Sequence, residues 1–220
     1  MRIGLRFILA FSILVSVSSV QAAQQLPYYN SEDFAPHWLE PNDQALKTFH
    51  TIPAFRFTNQ NGTTITEANY KNKIYVASFF FTTCQGICPR LTSKLSIVQK
   101  AFLGDNQVRI LSHSVMPDID TVNALRQYAK AHKINSDTWD LVTGKKAVIY
   151  AIAKAAYFAS EDMGKPEAAG DFLHTEKLLL IDQNKRIRGV YNGMVDTAIM
   201  DLVADIRMLK AQGDPSFRPQ

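Results

Sequence analysis

The chain has 220 residues, with 24 basic and 20 acidic side chains, a formal net charge of +4 and only two cysteines. The near balance of charge, with no basic cluster interleaved with aromatics, leaves no footprint for nucleic acid. Two cysteines are too few for a disulfide framework, and a chain of this length buries a full core without one.

Arg2 and Arg6 precede the apolar run "FILAFSILVSV", and small residues follow, with Val20 and Ala22 at positions minus three and minus one of an expected cut after Ala22. The run is short for a bilayer span. The expectation is a leader over residues 1–22 and an exported, periplasmic protein, attached to the membrane only through a partner or an uncleaved leader. The leader carries no cysteine, which excludes a lipid-modified N-terminus on that segment. Two of the basic residues lie in it, so the mature chain is nearly neutral.

Residues 23–50 contain prolines, aromatics and acids without a period and read as an N-terminal extension lying across a domain over 51–213. "FRFTNQNGTTIT" carries Asn61-Gly62 between two strand-like runs, a hairpin signal. "KIYVASFFF" (73–81) is the near-continuous apolar run of a strand buried on both faces. Pro89 suits the first turn of a helix, and Leu91, Leu95, Val98 and Phe102 recur at helical spacing. "QVRILSHSV" is a second buried strand, "VNALRQYAKAH" an amphipathic helix, "TWDLV" a short strand and "KKAVIYAIAKAAYF" another helix. The loop "ASEDMGKPEAAGDFLHTE" precedes the strand "KLLLID", which turns through "QNK" into "RIRGVYNG". A terminal helix stops near Gly213, leaving a tail over 214–220. Strands alternating with helices predict an α/β protein with a central mixed, mostly parallel sheet flanked by helices and an N-terminal β-hairpin. A strand, a cysteine-bearing turn and a helix in succession are the arrangement of a thioredoxin-like fold.

The chemistry concentrates at Cys84 and Cys88, just past the carboxyl end of the 73–81 strand, where ligands gather in open α/β sheets. Pro89 disfavours helical geometry at Cys88, so the helix is expected to open after it. Both sulfurs then stand at a helix mouth, where unpaired N–H groups and the helix dipole stabilise a thiolate. A thiolate is both the nucleophile of disulfide exchange and a soft metal ligand. Three readings stay open: a plain disulfide staple, which stabilises least when its loop is short; a redox pair; and two sulfur ligands for a metal. Two sulfurs suit Cu(I), and an added imidazole suits Cu(II) as well. Zinc fits less well, because its structural sites usually close with four ligands.

A third ligand has to come from five histidines. His37 and His50 lie in the extension, His132 ends a helix, and His113 on the second buried strand reads as a satisfied core residue. His174 stands in "DFLHTE", immediately before a strand, at the place a thioredoxin-like fold normally gives to a proline facing the active-site cysteines. It is the expected third ligand, the alternative being a loop histidine hydrogen-bonded locally.

"FFFTTCQGICPRLT" followed about 90 residues later by "DFLHTEKLLLIDQNKRIRGVYNG" resembles the SCO/SenC family, the copper-handling assembly factors of cytochrome c oxidase. The resemblance covers roughly residues 53–209. It implies one copper held by Cys84, Cys88 and His174, a Cys84–Cys88 disulfide in the oxidised form, and delivery to subunit II of the oxidase, with its binuclear copper centre (CuA), or to another exported copper protein. A thiol reductant protein would keep the pair reduced, and a monomer is expected. The chain departs from the family in "SVMPDID", where Met116 replaces the usual acid; Asp118 and Asp120 follow and read first as solvated loop acids, with service in place of the missing acid as the alternative. The rival function is a periplasmic thiol–disulfide oxidoreductase in which Cys84 attacks and Cys88 resolves. A peroxiredoxin would need a threonine where Phe81 stands.

Overall fold

The computed structural model describes residues 25–159 and 176–213, in the order β1 (Arg56–Asn59), β2 (Thr64–Thr66), β3 (Ile74–Phe80), α1 (Ile87–Ala101), β4 (Val108–Ser114), α2 (Val122–Ala131), β5 (Trp139–Thr143), α3 (Lys146–Tyr157), β6 (Lys177–Ile181), β7 (Ile187–Asn192) and α4 (Asp196–Gly213). Two short 3-10 helices, Gln44–Lys47 and Glu67–Tyr70, complete the set. The expected leader (1–22), most of the loop after α3, and the tail 214–220 lie outside the described residues.

All seven residues of β3 are buried, as an apolar run without alternation requires of a strand covered on both faces. It lies inside a seven-stranded sheet of order β2-β1-β5-β4-β3-β6-β7. The sheet is mixed, and its parallel pairing is confined to the centre: β3, β4 and β5 run parallel, while β1, β2, β6 and β7 each join antiparallel. The hairpin forms where Asn61-Gly62 predicted it. Gly62 takes φ 79°, a left-handed geometry that costs glycine nothing.

Strand alternation sorts the core into two layers. Ile74, Val76 and Phe80 face one side, where Leu91, Leu95 and Val98 of α1 meet Ile199, Leu202 and Ile206 of α4. Tyr75, Ala77 and Phe79 face the other, against Ile149, Ile152 and Tyr157 of α3. Each large aliphatic side chain so buried contributes about 1.5–3 kcal/mol. The first layer also takes in Cys88, with Cys84 packed against it; the second takes in the Phe57, His113 and Phe79 rings.

The extension over 25–50 is part of this body. Tyr29 bridges to Ile187 on β7, and the His50 Nε2 pairs with the Ala156 carbonyl at 2.9 Å. Arg188, buried on β7, donates to the carbonyls of Pro27 (3.0 Å) and Leu26 (2.6 Å), pairs with Asp182 at 3.3 Å and lies 3.8 Å over the Tyr28 ring.

Candidate metal and redox site

β3 ends at Phe80, and the chain turns back through Phe81–Cys84, closed by the Cys84 N–H donating to the Phe81 carbonyl at 3.3 Å. Helix α1 then begins at Ile87, one residue before Cys88, not after it as the proline suggested. Pro89 is the third helical residue, still in the first turn, where no N–H has an intrahelical partner and none is lost. Cys88 is therefore fixed by helical backbone and is 4% exposed, while Cys84 stands half-buried in the loop ahead of it.

Both thiols are free. The Cys88 N–H donates to Cys84 Sγ at 3.5 Å, which places the Cys84 sulfur at the open end of α1. Burial pushes the Cys84 thiol up, but the Cys88 thiol and the N–H groups of Cys88, Gly86 and Ile87 outweigh it, and the net shift is downward. Cys88 moves the other way, to about 12, because it is desolvated and hydrogen-bonds the Cys84 sulfur in preference to ionising. The helix mouth thus does what the sequence predicted, but for one sulfur of the two.

The histidines separate cleanly. His113 is fully buried on the opposite face of the sheet from the cysteines, enclosed by Phe57, Phe79 and Tyr157 at 5.2–5.3 Å. Among the described residues neither ring nitrogen has a well-formed hydrogen bond, so the expectation of a satisfied core histidine is corrected. Burial holds it neutral, with a pKa lowered to about 4, against only a weak pull from the Ser78 backbone. His37 packs on Phe49 at 5.5 Å, His50 on Phe158 at 4.5 Å, and His132 caps α2 with its ring 4.1 Å from Tyr128. His174 lies outside the described residues. Among the described residues no group of three or more His, Cys, Asp or Glu side chains stands ready for a metal. The described part of the site is two soft sulfurs, one ionisable and open, one buried; a thiophilic ion fits that donor set and a hard cation does not.

Met116 packs against the second core layer, across the sheet from the layer that takes Cys88. Asp118 is exposed, as expected of a loop acid. Asp120 is not: it has no exposed surface, and that expectation is corrected. Its carboxylate accepts from the Thr82 N–H at 3.1 and 3.2 Å and from the Thr82 hydroxyl and the Ser114 hydroxyl, each at 2.5 Å. No sequence signal marks it: the parallel register of β3 and β4, seen only in the fold, brings their carboxyl ends side by side and with them the two loops.

A parallel-centred sheet with a dithiol between its central strand and the following helix defines a thioredoxin-like protein with a two-sulfur site. The SCO1/SenC family model matches residues 43–210, and the chain belongs to that family. A curated relative, the SCO1 protein homolog of Bacillus subtilis (strain 168), is 29% identical over 163 residues, which span 72% of this chain and 82% of the relative. Three solved structures align closely. A SCO1/SenC family lipoprotein from Bacillus anthracis is 31% identical, with a TM-score of 0.66 over 73% of this chain and 95% of its own. BsSco, described with a disulfide switch and as a member of the Sco family of cytochrome c oxidase assembly proteins, is 28% identical, with a TM-score of 0.62 over 73% and 93%. Bradyrhizobium japonicum ScoI, solved with copper bound, is 25% identical, with a TM-score of 0.57 over 69% and 97%.

Proposed function

We propose that this protein is an exported copper chaperone. Cys84 and Cys88 hold copper as thiolates, His174 completes the site, and copper passes by ligand exchange to subunit II of cytochrome c oxidase during assembly of its CuA centre, or to another exported copper protein. The observation that carries the reading is the pair of free thiols at the mouth of α1, with Cys84 half-buried and accepting from the Cys88 N–H at 3.5 Å and Cys88 buried behind it. Its support from relatives is the copper in the Bradyrhizobium structure and the oxidase-assembly role of BsSco.

Loading requires both sulfurs as thiolates, so binding releases protons, and most of the cost falls on Cys88. An exchangeable ion is suited by this inequality: the half-buried sulfur is the one an acceptor reaches first. Export rests on the leader over 1–22; among the described residues no helix is long and apolar enough to cross a membrane.

A second reading is favoured by the same inequality. A lowered Cys84 and a raised Cys88 are the attacking and resolving thiols of an oxidoreductase, and BsSco carries a disulfide switch. Copper stoichiometry on the reduced protein separates the two. One copper per chain, with sulfur-to-Cu(II) charge-transfer absorption lost or strongly weakened in His174→Ala, supports the chaperone. No retained copper, with a disulfide that cycles rapidly and is indifferent to His174→Ala, supports the oxidoreductase.

A further inference from the structure

Cys88 and Cys84 are positioned by different means. Cys88 belongs to α1 and the first core layer, so the helix fixes it. Cys84 sits in the loop, and its place depends on the Phe81–Cys84 turn. Thr82, the second residue of that turn, is gripped by a group from another part of the chain. Asp120 takes its N–H with both carboxylate oxygens and its hydroxyl with Oδ1, while Ser114, the last residue of β4, donates its hydroxyl to Oδ2. The carboxylate is itself anchored: the Asp120 N–H donates to the Met116 carbonyl at 2.9 Å, and the Met116 N–H donates to Ser114 Oγ at 3.1 Å.

We infer that Asp120 is a positioning residue for the dithiol. It clamps the Phe81–Cys84 turn to the end of β4 and so sets where the Cys84 sulfur stands relative to Cys88. A buried apolar side chain would fill the same space at lower desolvation cost, but it would not fix the orientation of the Thr82 peptide. Charge-assisted bonds to one N–H and one hydroxyl of the same residue fix both its position and its rotation. The metal side of this inference rests on the copper reading above; the clamp itself acts on the two sulfurs with or without an ion.

The test uses Asp120→Asn, which keeps size and removes charge, and Thr82→Val, which removes the hydroxyl bond and keeps the backbone ones. Asp118→Asn is the control, the same charge change at an exposed neighbour. Three quantities are measured: Cu(I) affinity by competition with bicinchoninate, the Cys84–Cys88 dithiol–disulfide equilibrium constant in glutathione buffers, and the thermal midpoint. Asp120→Asn is expected to weaken Cu(I) binding about tenfold or more and to shift the redox equilibrium about tenfold in protein still folded at 25 °C. Thr82→Val should move both in the same direction by less, the double variant no further than Asp120→Asn alone, and Asp118→Asn neither. Unchanged constants in folded Asp120→Asn, or equal changes in Asp118→Asn, overturn the clamp. Should Asp120→Asn fail to fold, Thr82→Val decides, and an unmoved redox equilibrium there overturns it. A wild-type protein that retains no Cu(I) removes the copper reading and leaves the redox equilibrium to judge the clamp.

Discussion

Cys84 and Cys88 are chemically different thiols although only three residues separate them. The N–H groups at the start of α1 reach Cys84, and the core claims Cys88. Iodoacetamide at pH 7 should therefore alkylate Cys84 at least about tenfold faster than Cys88, measured by peptide mapping at short times; equal rates would show that the helix mouth does not discriminate between them. His113 gives a second residue-scale expectation. Its folded pKa, about 4, lies below the ordinary value of 6.5, so the unfolded chain binds the extra proton first. Stability is complete above about pH 6.5 and is lost as pH falls toward 4, by about 3 kcal/mol in all from this group. Denaturant titrations of His113→Phe should show a shallower loss across that window than wild type.

At the scale of elements, the strands and helices were legible because each carries an unbroken signal: the buried run of β3, the helical spacing of Leu91, Leu95 and Val98, the Asn61-Gly62 turn. The start of α1 was misread because proline restricts the residue before it only on average, and the missing N–H costs nothing in a first turn. Asp120 was misread because loop acids are usually solvated; only the pairing of two strands distant in sequence shows that it has donors waiting. The latch of the extension was illegible for the same reason, since Arg188 meets Leu26 and Pro27 across some 160 residues of chain. Arg188→Met should cost about 3–5 kcal/mol, leaving Asp182 buried beside unpaired carbonyls. Limited proteolysis should then cut within 25–37 while β3 to α4 stay intact; a protected extension in the variant would show that the Tyr29 and His50 contacts suffice without the latch.

At the scale of the whole molecule, the sheet divides the labour. One face carries the dithiol, α1 and α4; the other carries α3 and the neutral His113; the extension joins both, through Leu26 on the first and Tyr29 and Phe34 on the second. The central parallel strands deliver two loops to one edge, where Thr82 and Asp120 join them. Such an edge, on a scaffold rigid through both core layers, holds its sulfurs in fixed relation while leaving one of them accessible. On the copper reading proposed above, this geometry is the reason two sulfurs so close in sequence would receive and release the ion in order. X-ray absorption at the copper edge of the loaded protein tests this most directly. Two sulfur scatterers with one imidazole, falling to two sulfurs alone in His174→Ala and to one in Cys84→Ser, are predicted. Copper bound through nitrogen and oxygen ligands only, unchanged in Cys84→Ser, would contradict the account.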